Sequence, residues 1–254
     1  MLIDKILVLT DFTLAAKVAI EHGLQLARSA DCELLTLHLV NNQSDVDWAL
    51  NKSEAEVRAA KGFTPDSRFK SMAEIENVFA GTVNLKAKYG SALTIFGTHG
   101  KKDIQFITGS YALKLVNNAD SPTLVVQKGS PIRPYKNILL FINFGGQEHQ
   151  DLAVLRTISG MFESTVHLVH TGQPDDMTII EDQLNASGTQ VNTVALESSR
   201  SGVLAELMTT AESLDIDLFA LPSVNYAVKA ARPKVNAQMQ KIITNDNQIP
   251  TICL

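Results

Sequence analysis

The chain has 254 residues, 45% hydrophobic and 19% charged, a globular composition with enough apolar mass for a packed core, which excludes disordered and fibrous classes. Its net charge is −5. Residues 1–129 hold 14 Lys/Arg against 14 Asp/Glu and residues 130–254 hold 8 against 13, so neither half offers the basic footprint that nucleic acid requires.

The N-terminus, Met1-Leu-Ile-Asp-Lys-Ile-Leu-Val-Leu9, places Asp4 and Lys5 before a run of only about five apolar residues, which does not fit a secretory signal. No stretch approaches the roughly 18 apolar residues of a membrane span. Cys32 and Cys253 lie in strand-like segments without metal or CxxC spacing and read as small buried hydrophobes in a reducing compartment. The expectation is a cytoplasmic protein with neither nucleic acid nor membrane among its partners.

In chain order, the first half predicts strands near 5–10, 34–40, 67–73, 92–97 and 122–127, with helices near 14–30, 76–89 and 110–119. Continuous apolar strands such as Ile6-Leu-Val-Leu9 suit a parallel sheet covered on both faces. Val18, Ile20, Leu24 and Ala27 recur close to helical spacing, as a crossover helix requires. The polar segment 41–62 is weakly periodic and is assigned no more than a short helix within a long loop. Gly129-Ser-Pro-Ile-Arg-Pro-Tyr135 resists both helix and ladder and reads as a linker. The second half repeats the plan, with strands near 137–142, 165–170, 191–196, 217–221 and 250–253 and helices near 148–160, 177–187, 201–214 and 235–245.

Three matches in one order support a duplication. Lys5-Ile-Leu-Val-Leu-Thr-Asp-Phe12 matches Asn137-Ile-Leu-Leu-Phe-Ile-Asn-Phe144. Leu37-His-Leu-Val40 matches Val166-His-Leu-Val169, and Ser121-Pro-Thr-Leu-Val125 matches Ile249-Pro-Thr-Ile-Cys253. The fold class is therefore α/β, two tandem doubly wound five-stranded mostly parallel sheets. Domains are expected over 1–128 and 136–254, with 129–135 between them. Two expectations concern how the halves meet. They should be near copies, with a single continuous sheet through both halves refuting the duplication, and their fifth strands are candidates to pair inside one chain. The second would leave a monomer (an internal pseudo-dimer) or a homodimer.

Gly97-Thr-His-Gly100 follows the strand Leu93-Thr-Ile-Phe96, and Gly109-Ser110 opens the next helix. Glycines let the main chain approach phosphate oxygens, free N–H groups and a helix N-terminus form an anion cradle, and Ser110 and His99 offer further donors. A loop at the carboxyl end of a parallel strand is where open α/β sheets bind ligands. No GxxxxGK[ST] loop, GxGxxG fingerprint or GxSxG elbow is present. His167-Leu-Val-His170 has metal-like spacing, but residues three apart on a strand face opposite sides, so these read as core histidines. Lys229, Arg232 and Lys234 read as a solvated face.

Val8-Leu-Thr-Asp-Phe-Thr13, Leu37-His-Leu39, Gly97-Thr-His-Gly100 with Gly109-Ser110, and Ser121-Pro-Thr-Leu-Val-Val126 together resemble universal stress protein domains, of the adenine-nucleotide alpha hydrolase-like fold group. That family's signature is G-x2-G-x9-G-[ST]. The resemblance implies ATP binding, with or without Mg²⁺, in a regulatory stress-response protein that has an unidentified protein partner and no catalytic residues. By position, Thr10 and Asp11 would lie beside the adenosine and the backbone around Leu39 would edge the adenine. Gly97, His99, Gly100, Gly109 and Ser110, with the neighbouring Tyr111, would form the phosphate end. Here eight residues, Lys101 to Thr108, replace the signature's nine, and Tyr111 stands where a small or β-branched residue is usual. Asp11 also suits a helix-capping turn on physical grounds alone. In the second half Asn143, Pro222-Ser-Val-Asn225 and Ala237 replace the corresponding groups, so nucleotide is expected in the first domain only. The alternatives are a nucleotide-free pseudo-dimeric interaction module of the same family and an enzyme of the wider fold group, for which no catalytic constellation is found.

Overall fold

The structure is a computed structural model that describes residues 3–76, 84–98, 109–142, 152–171, 177–197, 202–222 and 237–254. The first half contains β1 (Lys5–Leu9), α1 (Leu14–Ala30), β2 (Glu33–Val40), α2 (Val46–Ala59), β3 (Phe69–Ile75), α3 (Leu85–Tyr89), β4 (Leu93–Thr98), α4 (Gly109–Asn118) and β5 (Thr123–Gln127). The second half contains β6 (Asn137–Ile142), α5 (Ala153–Phe162), β7 (Thr165–His170), α6 (Thr178–Asn185), β8 (Gln190–Ala195), α7 (Val203–Ser213), β9 (Leu218–Leu221), α8 (Ala237–Ile243) and β10 (Thr251–Cys253). No described helix is long and apolar enough to cross a membrane.

Local chemistry explains the first helix well. Thr13 is extended (φ −78°, ψ 169°), and its hydroxyl accepts the N–H of Ala16 as an N-cap. Ala16, Ile20, Gly23, Leu24, Ala27 and Ala30 form the buried stripe. Asp31 ends the helix at φ 50°, its N–H reaching the carbonyls of Ala27 and Arg28.

The strands form one ten-stranded sheet in the order β3-β2-β1-β4-β5-β10-β9-β6-β7-β8. Every neighbouring pair is parallel except β5–β10, which is antiparallel. A single continuous sheet, expected to refute the duplication, is thus observed, and that criterion is corrected by the strand order. The order is mirrored about that one seam: 3-2-1-4-5 meets its repeat, 8-7-6-9-10, end to end. Two five-stranded units are therefore joined edge to edge, as the pairing of the fifth strands requires. The physical cause is burial, since both β5 and β10 are buried along their whole length and each would otherwise be an open apolar edge. The seam register is Thr251 to Val125, Ile252 to Leu124 and Cys253 to Thr123.

Helices cover both faces. Residues from α1, α2, α5 and α6 share one apolar cluster with Ile6, Val8, Leu34, Ile138, Leu140 and Val166. On the opposite face, α4, α7 and α8 pack with Phe96, Val125, Leu139, Phe219 and Cys253, and Leu85 of α3 packs on Leu7, Leu35 and Leu37. Both large clusters run through the two halves.

The segment between β5 and β6 is bound tightly to both. Ser130 Oγ donates to the Gln248 carbonyl at 2.7 Å, and Gln127 Nε2 donates to Asn245 O at 2.8 Å. Tyr135 is fully buried, with its hydroxyl 2.6 Å from His22 Nδ1 on α1 and its ring edge-on to Phe162. Asp217 accepts the backbone N–H groups of Lys136 and Asn137 at 2.8 and 2.9 Å and pairs with Arg133.

Two details differ from the sequence expectation. Segment 41–62 holds the full 14-residue helix α2, whose buried residues Ala49, Ser53 and Val57 follow a four-residue step too sparse to register as amphipathic. The helix expected near 76–89 is observed over Leu85–Tyr89, residues 77–83 lying outside those described. His167 and His170 are both buried on β7, and no group of three or more metal-ligating side chains occurs among the described residues. Cys32 and Cys253 are buried free thiols, pushed up by burial to about 11 and about 12.

Candidate functional site

The order β2-β1-β4 places β1 where the winding of the sheet reverses, with α1 on one face and α4 on the other. Crevices at such a reversal, beyond the carboxyl ends of the strands, are where open α/β sheets take ligands. Here β1 stops first. Its pairing ends at Leu9 with Leu37 on one side and Phe96 on the other, while β2 runs on to Val40 and β4 to Thr98.

Thr10 follows, its N–H donating to the Leu37 carbonyl at 2.9 Å and its Oγ1 accepting the Phe12 N–H at 3.2 Å. The Asp11 carboxylate is shared between two tasks. Oδ1 accepts the N–H and hydroxyl of Thr13 at 3.1 and 2.6 Å, a local turn that aims the helix cap. Oδ2 is buried and has no hydrogen-bond partner among the described residues. A buried carboxylate oxygen left this way costs free energy unless something binds it.

Leu39 completes this side. In a parallel strand the N–H and C=O of one residue point the same way, and odd and even residues alternate. Leu37 bonds toward β1 and Val40 toward β3, so the peptide N–H and C=O of Leu39 face the side that β1 has already left.

On β4, Gly97 is buried within the strand, and a Cβ there would fall 2.3 Å from the backbone carbon of Ala15. Its missing side chain thus admits the first turn of α1, a packing role that sequence reasoning had not separated from phosphate approach. Thr98 points to the opposite face, as Phe96 does, and its Oγ1 is buried without a hydrogen-bond partner among the described residues. Gly109, Ser110 and Tyr111 are the first three residues of α4. His99 and Gly100 lie outside the described residues, as does Asn143. Across the repeat, Pro222 directly follows β9 and has no N–H to donate, and Ala237 opens the seven-residue α8.

Sequence reasoning missed the groups beside Asp11. Phe12 is left-handed (φ 63°), and its ring packs against His38 in a tilted arrangement with centroids 4.2 Å apart. His38 Nδ1 lies 2.7 Å from the Thr10 carbonyl, so this nitrogen carries the proton and donates. Glu56 on α2 sits 3.8 Å from Lys17 and within electrostatic range of Asp11, and burial raises its carboxyl pKa. The signal for Glu56 was slight, because α2 was assigned no face.

The fold defines a tandem doubly wound α/β protein whose first unit places Thr10, Asp11 and Leu39 at its sheet reversal. The model of the universal stress protein family matches residues 3–127, and through this half the chain belongs to that family. Among solved structures it is similar to a universal stress protein from Archaeoglobus fulgidus, at 14% identity and TM-score 0.70 over 98% of this chain and 97% of that one. It is also similar to a putative universal stress protein from Pseudomonas aeruginosa UCBPP-PA14, at 16% identity and TM-score 0.65 over 99% and 93%. A functionally unknown protein from Pseudomonas aeruginosa PAO1 matches at 16% identity and TM-score 0.66 over 99% and 92%. These likenesses span both halves and establish the shared fold. No curated protein sequence matches the chain.

Proposed function

We propose that the protein is a regulatory, stress-response nucleotide-binding protein that holds ATP in its first unit and has no dedicated turnover. The observation that carries this reading is Oδ2 of Asp11 at the sheet reversal, buried and without a hydrogen-bond partner among the described residues. A ribose hydroxyl is the neutral donor that would satisfy it without bringing a second charge into the crevice. Leu39, with one N–H and one C=O facing the vacated side, suits the donor–acceptor edge of adenine. Thr98 Oγ1 and the N-terminus of α4, with its positive dipole end, suit the phosphates, and Mg²⁺ would supply charge neutralisation there. Domain limits of 1–128 and 136–254, with 129–135 between them, are proposed on the internal repeat.

Isothermal titration with ATP and Mg²⁺ tests it, with one site per chain expected. Gly109→Val should abolish binding, because a branched side chain blocks the close approach of phosphate, whereas Ala237→Val should leave it intact. Asp11→Ala should weaken binding less than Gly109→Val, since it removes a single adenosine contact. Two sites per chain would overturn the asymmetry. An unmodified protein that takes up no nucleotide would favour the interaction-module reading, for which the eight-residue spacing before Gly109 is the supporting observation.

A further inference from the structure

Trp48 stands in the first turn of α2 and is the chain's sole tryptophan. It is 55% exposed, although a ring of this size normally gains by burial. The ring is nevertheless fixed in place. It meets Phe12 edge-on at 5.4 Å and His38 edge-on at 6.4 Å. Lys52 Nζ lies 4.9 Å from its centroid and 4.5 Å from that of Phe12, within cation–π range of both. Phe12 reaches this cluster by adopting a left-handed backbone, φ 63°, which is unfavourable for a bulky residue. His38 is anchored by the Thr10 carbonyl. Four side chains therefore hold an aromatic surface in place at the carboxyl end of β2.

That surface borders an open depression of about 420 Å³ lined by His38, Leu39, Val40, Asn41, Asp45 and Trp48. Leu39 belongs both to this depression and to the proposed nucleotide crevice. The charges determine which end of a ligand it suits. Asp45 on the lining disfavours phosphate, and the Lys52 ammonium already on the Phe12 and Trp48 rings disfavours a cationic guest. A neutral, planar heterocycle meets neither objection.

We infer that Trp48 is a specificity-determining residue which stacks on the purine ring of a nucleotide whose base edge is held by Leu39. The inference rests on the nucleotide-binding reading above and adds to it a selection for purine bases by stacking area. Base–aromatic stacking is worth roughly tenfold or more in affinity per base, so the base and not only the phosphates should govern binding.

Because the chain has one tryptophan, its emission reports on this position alone. Emission excited at 295 nm is followed as ATP is added to the unmodified full-length protein, alongside calorimetry, and CTP is then compared with ATP. Quenching with the calorimetric midpoint, and CTP weaker by about tenfold, are expected. Trp48→Ala should weaken ATP by about tenfold, Trp48→Phe should recover most of that loss, and inorganic triphosphate should bind both variants as it binds the unmodified protein. Calorimetric binding of ATP with unchanged emission, or with full affinity in Trp48→Ala, would overturn the inference and leave the nucleotide reading standing. An absence of ATP binding in the unmodified protein would overturn both.

Discussion

Gly97 lies in β4 against the backbone of Ala15, and any side chain at this position must displace the first turn of α1. The atoms it would meet are backbone, which cannot rotate away, so the cost exceeds that of ordinary overpacking, itself about 1–3 kcal/mol. Gly97→Ala is expected to lower stability by about 3 kcal/mol or more in urea unfolding. A loss of ATP affinity with unchanged stability would instead assign the glycine to the ligand. His22 offers a second residue-scale test. It is buried beside the Tyr135 hydroxyl, and desolvation pushes its pKa from 6.5 down to about 3. The unfolded chain then binds a proton that the folded one refuses, so this residue's contribution to stability is complete above about pH 6.5 and is lost as the pH falls toward 3. Unfolding free energies measured from pH 7 to pH 4 should fall, and His22→Gln should flatten the slope. An unchanged slope would place the acid sensitivity elsewhere.

At the scale of elements, most strands and helices were legible because their signals are local. β1, β4 and β5 are apolar runs of strand length, and α1 carries a full buried stripe between two caps. The exception, α2, has a small buried face and charged flanks, with Arg58 paired to Glu54 on its exposed side. Its periodicity is weak for the same reason that it supports the aromatic cluster: the residues it presents at the sheet end, Trp48 and Lys52, are not core residues. The edge strands show a related compromise. β8 is exposed at Gln190, Asn192, Thr193 and Ala195, and β3 carries Lys70 and Glu74, so neither outer edge is an apolar template for further pairing.

For the molecule as a whole, the seam between β5 and β10 uses internally the edge that a single unit would leave open. The two outer edges are polar, and the described apolar clusters are already continuous through both halves. Light scattering at micromolar concentration should therefore give a monomer of 27.6 kDa. A dimer would show that another surface is used, and open-ended assemblies would count against the internal seam.

The amino-acid sequence by itself determined the order of elements, the duplication and the confinement of the glycine loop to the first half. The first and third rest on residues near one another in the chain, where hydrophobic period and turn chemistry act, and the duplication rests on the recurrence of such local patterns. Tertiary structure decided the rest. The pairing of β5 with β10, the lock of Tyr135 on His22 across 113 positions and the approach of Ala15 to Gly97 join segments that no local pattern relates. Asp11 shows the division within one side chain. Its place after β1 was legible, but that one oxygen serves the helix cap while the other is buried without a partner among the described residues depends on where β1 stops relative to β2 and β4, a matter of packing between elements.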